Sequence, residues 1–494
     1  MVGISALAVY LPRLRLARKA IVDAHRWADP GLAGKAQGER TMCNWDEDAV
    51  TMGVEAARVC LGDSRDVDCL LFASTSAPFA DRQHAGIVAG ALNLPEDIAT
   101  LDAGASQRAG TSALIQGIAA VKGGLHASAL LVTGDKRRTK AASPGELDFG
   151  DGAVAVRLSN NLLNTACEQN IALEFLACHT VTVDFIDHFR GAGEEFDYGW
   201  EERWIRDEGL ARIVPDAVGK ALAKAGVKPA DVAHFILPST IRGAVASIGK
   251  AAGVPPGAVA DTLAAQVGET GVAHPLVMLA ARLSQDGIAA GQIIVLCGFG
   301  QGCDAIVLRI GDVEAARRIG ACFQAALATR MAETNYSKYL AFNNLVVLEK
   351  GMRADKDDFK TALTVTWRKR DMLTGLVGGR CTICGTLQFP RTDICVNPQC
   401  RAVHSQEPHS FREEKANIVT WSADFLTYTA EPPAHYGMIS FKNGGRFMTD
   451  FTDVTVGQID VGTAVRMVFR IKSVDRIRGF VRYFWKAAPE RSLT

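Results

Sequence analysis

The sequence predicts an α/β fold followed by a small all-β module, and three observations carry that prediction. Over residues 1–310 short apolar runs alternate with alanine-rich amphipathic stretches. From Gly379 a cysteine cluster opens a segment of short β-branched and aromatic runs. The composition, 48% apolar and 22% charged, suits a soluble chain that buries sizeable cores.

The elements follow in order. The opening stretch VGISALAVYLPR alternates as a strand does and lacks the layout of a signal peptide. Strands are expected at Asp68–Ala73, Ala129–Thr133, Ala153–Leu158, Val232–Leu237, Gln292–Cys297 and Ala305–Ile310. Amphipathic helices are expected at Asp48–Leu61, Thr111–Gly123 and Val214–Ala225. This βαβ succession calls for sheets covered by helices. The parallel wording of VDCLLFAST and VAHFILPST, each following a helix, hints at an internal duplication. The expected units are two α/β halves at 1–165 and 166–312, then a helical connector at 313–370 that carries the charge-rich EKGMRADKDDFK.

Beyond the connector the strand pattern shortens. Ala416–Ala423, Tyr436–Phe441, Thr463–Val474 and Gly479–Trp485 read as strands, with Asn443-Gly444-Gly445 as a hairpin turn. About five short strands suit a small barrel of the OB type over 406–494.

Charge and cysteine content exclude several classes. Lys+Arg and Asp+Glu number 54 each, so bulk charge favours neither nucleic acid nor an anionic membrane. No apolar run approaches the roughly 18 residues of a membrane span. The chain is expected to be cytoplasmic, with its scattered cysteines as free thiols. Those are Cys43, Cys60, Cys69, Cys167, Cys178, Cys297, Cys303 and Cys322.

The other four cysteines are clustered. Gly379–Arg401 reads GRCTICGTLQFPRTDICVNPQCR, in which Cys381 and Cys384 form one pair and Cys395 and Cys400 a second. Two such pairs can bring four thiolates to the corners of a tetrahedron, the geometry Zn²⁺ accepts. With no open position in the motif, the metal would be structural. The expected zinc module spans 371–405.

This segment, over about residues 365–490, resembles the zinc-ribbon and OB-fold accessory proteins of thiolase-like enzymes. It shares the C-x2-C-G ribbon and strands ending in FVRYFWK. In that family the barrel is thought to help cover an acyl-CoA site. For Tyr428–Tyr436 (YTAEPPAHY) two readings stay open, a covering loop and a solvent loop.

Residues 1–310 resemble the thiolase superfamily, nearest to HMG-CoA synthase. The similar stretches occur in the family's order: VGISALAVYLPR, GERTMCNWDEDAVTMG, FASTSAPFADRQ, LDAGASQRAGTSALIQG, FGDGAVAV, GETGVAHP and CGFGQG. The resemblance implies a five-layered α-β-α-β-α fold, a homodimer, and an acyl-CoA thioester substrate with CoA as part of it. Carried over position by position, the nucleophilic cysteine is replaced by Gln107. The synthase glutamate falls near Thr75 or Ser76, the histidine of the ketosynthase loop at Ser239, and the later asparagine near Glu269. Glu269 and Asp81 are candidate bases, although acidic loop residues are more often simply solvated.

Two further stretches resemble thiolases proper. Ala273-His274-Pro275 matches a loop whose histidine polarises the thioester. Leu296–Gly302 matches a loop whose cysteine, here Cys297, is an acid/base, and whose glycines, here Gly298, Gly300 and Gly302, form an oxyanion loop. The bland alternatives are a helix-capping His274 and a core Cys297. Of the cluster Lys136-Arg137-Arg138-Thr139-Lys140, Arg137, Arg138 and Lys140 are candidates for phosphate contacts, against the alternative of a solvated loop.

Loss of the acyl-accepting thiol points to aldol-type cleavage or formation of a carbon–carbon bond through a CoA enolate, which needs no acyl-enzyme. The alternatives are an HMG-CoA synthase or thiolase-like acyltransferase using another thiol, and a non-catalytic CoA-binding partner of an active thiolase. Glutamine at this place in related ketosynthase folds also implies decarboxylation of a malonyl-type thioester.

Overall fold

The computed structural model describes residues 1–160, 170–349 and 361–490. Cys167 and most of the charge-rich connector stretch lie outside the described residues. The chain divides into two compact units. The first holds Met1–Asn44, Asp48–Ala85 and Glu96–Leu345. The second holds Val346–Thr494 with the short segments Trp45–Glu47 and Gly86–Pro95.

The first unit is a mixed α/β fold on a large central sheet. In spatial order its nine strands are Val232–Ile236, Ile293–Phe299, Gly302–Ile310, Leu173–Thr182, Val2–Tyr10, Gly152–Asn160, Ser128–Asp135, Cys69–Ala73 and Ala99–Ala103. The two halves join where Val2–Tyr10 meets Leu173–Thr182, through the pairs Gly3↔Glu174 and Ile4↔Leu173. A Cβ on Gly3 would stand 2.1 Å from the Leu173 carbonyl oxygen, so only glycine permits this close crossing.

Two helices, Ala109–Lys122 and His274–Leu283, pack against strands of both halves. The second is buried along nearly its whole length, as a helix between sheets must be. Its Leu276, Val277 and Leu279 each contribute about 1.5–3 kcal/mol by burial. The helix Ala49–Leu61 starts at Asp48, whose carboxylate accepts from the Thr51 N–H in a capping box.

The connector begins later than the sequence reading places it. Val313–Ala328 is a helix packed on His274–Leu283, and Met331–Glu333 pairs with Leu14–Ala17. Tyr336–Phe342 then buries Tyr336 and Tyr339 against Glu146 and Arg40. The apolar face Ala315, Ala316, Ile319 and Phe323 draws this stretch into the first unit's core.

The second unit carries two small sheets. Leu387–Gln388, Val377–Cys381 and Gln406–Ser410 form one of them. Arg446–Asp450, Ala434–Phe441, Ala416–Asp424, Ala464–Asp475 and Phe480–Pro489 follow in that order across the other. A parallel bridge between Phe451 and Ala487 joins its two ends, helped by the Thr452 N–H donating to the Ala487 carbonyl at 2.9 Å. No helix among the described residues is long and apolar enough to cross a membrane.

Candidate active site

The turn at Ser106–Arg108 delivers Gln107 to the N-terminal end of the helix Ala109–Lys122. The loop after the strand Ile293–Phe299 packs on this turn. Gly300 adopts a φ of +159°, and its carbonyl accepts from the Ser106 hydroxyl and the Arg108 Nε, both at 3.0 Å. A Cβ on Gly300 would come within 3.1 Å of the Gln107 backbone nitrogen. Arg108 is held further by Asp304 at 2.9 Å.

Gln107 donates its side-chain amide to the Thr75 hydroxyl at 3.2 Å. Its Oε1 is buried and has no hydrogen-bond partner among the described residues. Thr75 in turn donates to the Asp135 carboxylate at 3.1 Å. Asp135 is a hub: it also accepts from the Ser74 and Ser76 hydroxyls and from the backbone N–H groups of Thr75, Ser76 and Val272. Burial pushes its carboxyl above the usual range, and these donors pull it back.

A cavity of about 640 Å³ opens over this network. Its wall includes Thr75, Gln107, Gly300, His84, His188 and Arg190. Among the described residues, no cysteine lines it. His84 donates from Nδ1 to Asp102 at 2.8 Å, and its Nε2 accepts the Phe79 N–H at 3.2 Å, so both nitrogens are used. His188 is paired through Nδ1 with Asp187 at 3.0 Å.

Several sequence candidates lie elsewhere. His274 is 1% exposed, with Nδ1 on the Thr270 hydroxyl at 3.2 Å and Nε2 on the Thr262 carbonyl at 3.0 Å. Burial lowers its pKa, and it serves the core at the start of its helix. Cys297 is fully buried against Cys303 in the apolar layer of its strand. The Ser239 hydroxyl accepts from the Ile241 N–H at 3.1 Å and does not reach the cavity wall.

Glu269 is neutralised by Arg137 at 2.8 Å, and Arg137 also binds Asp197 at 2.8 Å. Arg137 is buried and stacks on Phe149, 3.6 Å from the ring centroid, so it braces the fold and is no free phosphate ligand. Arg138 and Lys140 are exposed, and Arg138 pairs with Glu195 at 3.1 Å.

The glycines of the later loop make close approaches. A Cβ on Gly298 would lie 2.1 Å from the Thr111 hydroxyl, and one on Gly302 2.0 Å from the Val181 carbonyl oxygen. The Gly300 N–H is donated to the Gly302 carbonyl at 3.0 Å, which keeps it from an incoming oxyanion. Asp135, His188 and Arg190 carried no motif. Asp135 stands out only by the donors that converge on it, and His188 and Arg190 only by their place on the cavity wall.

Residues 222–310 match the family described as 3-Oxoacyl-[acyl-carrier-protein (ACP)] synthase III C terminal. The hydroxymethylglutaryl-CoA synthase of Caldivirga maquilingensis is 25% identical over 71% of this chain and 99% of its own length. The chain has the thiolase-like condensing-enzyme fold. The hydroxymethylglutaryl-CoA synthase of Methanocella arvoryzae is 29% identical to this chain, over 47% of this chain and 66% of its own length. A crystal structure of an HMG-CoA synthase complexed with CoA superposes with a TM-score of 0.60 at 15% identity, covering 72% of this chain and 92% of that one. These relatives support an enzyme of the HMG-CoA synthase or thiolase-like acyltransferase kind.

Proposed function

We propose that this condensing-enzyme homologue acts on an acyl-CoA thioester and makes or breaks a carbon–carbon bond in aldol fashion, through a CoA enolate and without a cysteine acyl-enzyme. One observation carries the reading: Gln107 occupies the turn at the head of the helix Ala109–Lys122, over a cavity that no described cysteine lines. An aldol step needs a base and a place for negative charge, but no acyl acceptor. The positive end of the 14-residue helix Ala109–Lys122 favours charge beside Gln107. Arg138 and Lys140, both exposed, are the proposed contacts for CoA phosphates.

The similarity to HMG-CoA synthases favours the second reading, an acyltransferase in which another thiol takes the acyl group. Intact mass after incubation with acetyl-CoA and propionyl-CoA separates the two. The aldol reading expects an unmodified chain together with exchange of the thioester's α-protons in deuterated water. A stable acyl adduct on a cysteine overturns it. Tight CoA binding with neither adduct nor exchange indicates a non-catalytic subunit.

In the second unit we propose a zinc ribbon followed by an OB-type barrel. The Sγ atoms of Cys381, Cys384, Cys395 and Cys400 lie within 4.8 Å of one another. Cys381 and Cys400 are 3.9 Å apart, and Cys384 and Cys395 are 3.6 Å apart. A tetrahedral ion with Zn–S bonds of about 2.3 Å needs sulfurs about 3.8 Å apart, so the four residues fit zinc. The ion would supply folding energy to this ribbon. The parallel bridge Phe451↔Ala487, which joins the outer strands, supports the barrel. A homodimer is proposed through the strand Ala99–Ala103, a sheet edge unpaired among the described residues, whose Leu101 is 54% exposed.

A further inference from the structure

The cavity needs a proton carrier, and Gln107 cannot be one. The best-placed group lies on a hairpin with no counterpart among the motifs read in the sequence. His188–Phe189 pairs with Tyr198–Gly199, and the Trp200 N–H closes the turn onto the Asp187 carbonyl at 3.0 Å. Two cationic braces fix it. Asp197 of the hairpin binds Arg137 at 2.8 Å, and Arg190 donates to the Thr75 carbonyl.

The consecutive residues Asp187, His188, Phe189 and Arg190 all line the cavity. Arg190 reaches the carbonyl of Thr75, whose hydroxyl receives the Gln107 amide, so this segment is tied to the Gln107 network. Both His188 and Arg190 line the cavity.

Asp187 fixes the tautomer of the imidazole. Its carboxylate can only accept, so Nδ1 carries a proton, and in the neutral ring Nε2 keeps the lone pair. His84, the other histidine of the wall, has both nitrogens committed. The Oδ1 of Asp187 is buried without a hydrogen-bond partner among the described residues, which leaves its charge available to an imidazolium.

We infer that His188, held by Asp187, is the general base and acid of this site. The inference rests on the aldol reading above and supplies its missing proton carrier. His188 Nε2 takes the proton of the substrate's 3-hydroxyl, and the O–H electron pair becomes the second bond of the carbonyl product. The C2–C3 bond breaks and its pair enters the thioester as an enolate. The imidazolium returns the same proton to C2. A 3-hydroxyacyl-CoA thus yields a ketone or aldehyde and a shortened acyl-CoA, with no oxidant or co-reactant. Asp187 is a positioning residue.

The test is exchange of the C2 protons of propionyl-CoA in deuterated water by the full chain, with thioester binding measured by calorimetry. His188→Gln is expected to slow exchange about 100-fold while leaving the Kd within about three-fold. Asp187→Asn keeps the imidazole and should lower the exchange kcat with KM unchanged. Exchange by wild type and by both variants at one rate overturns the assignment of His188 and leaves the aldol reading standing. A wild-type chain that exchanges nothing overturns both.

Discussion

The Gln107 side-chain amide lies 3.2 Å from the Thr75 hydroxyl, and that hydroxyl lies 3.1 Å from Asp135. The Gln107 side chain is thus tied into a polar network whose far end, Asp135, is buried. A glutamine here can orient neighbours but cannot hold an acyl group.

Gln107→Cys should therefore change the chemistry. A thiol at the head of a 14-residue helix feels its positive end and is activated. The variant is expected to gain an acyl adduct from acetyl-CoA by intact mass, while the wild-type mass stays constant. No adduct on Q107C means that the cavity does not admit the thioester to this turn.

Asp135 holds the site's frame together. Asp135→Ala strips the acceptor from the backbone N–H groups of Thr75, Ser76 and Val272. Buried donors left unpartnered should cost about 3–5 kcal/mol, read as a lower midpoint in urea. Asp135→Asn keeps an acceptor and should cost less. Equal losses for the two variants would show that charge, not hydrogen bonding, is what the site needs.

Zinc should copurify with the chain and be released by a strong chelator. Cys384→Ser removes one of four thiolates and should abolish stoichiometric metal in elemental analysis. A wild-type preparation free of zinc, yet folded through the second unit, would remove the ribbon assignment.

Acid should weaken the first unit through its buried histidines. Burial lowers the pKa of both His274 and His234. Each then binds a proton more readily when unfolded, so its stability is fully present above the unfolded value of about 6.5 and is lost as pH falls below it. The urea midpoint is expected to drop between pH 7.5 and pH 5.5, and His274→Gln should flatten that drop. A pH-independent midpoint would contradict it.

Local pattern determined much of this protein. The strand runs, the helix opening at Asp48 and the paired cysteines are legible because each depends on neighbours in the chain: alternation, a cap, a spacing. The order of short stretches also drew attention to Gln107, which the structure places at the cavity wall. The catalytic roles borrowed for His274 and Cys297 fared differently, because a loop's wording does not reveal whether its side chain ends in the core or at the cavity. Arg137 looked like a phosphate ligand until Glu269 and Asp197, far along the chain, took its guanidinium.

What only the tertiary structure decided is which distant polar groups meet. Thr75, Asp135 and Gln107 converge because parallel strands carry their loops to the same end of the sheet. His188 and Asp187 reach that place on a hairpin pinned by two ion-paired arginines. No periodicity encodes such meetings, since they are set by long-range packing and by hydrogen bonds that form only once the sheet exists.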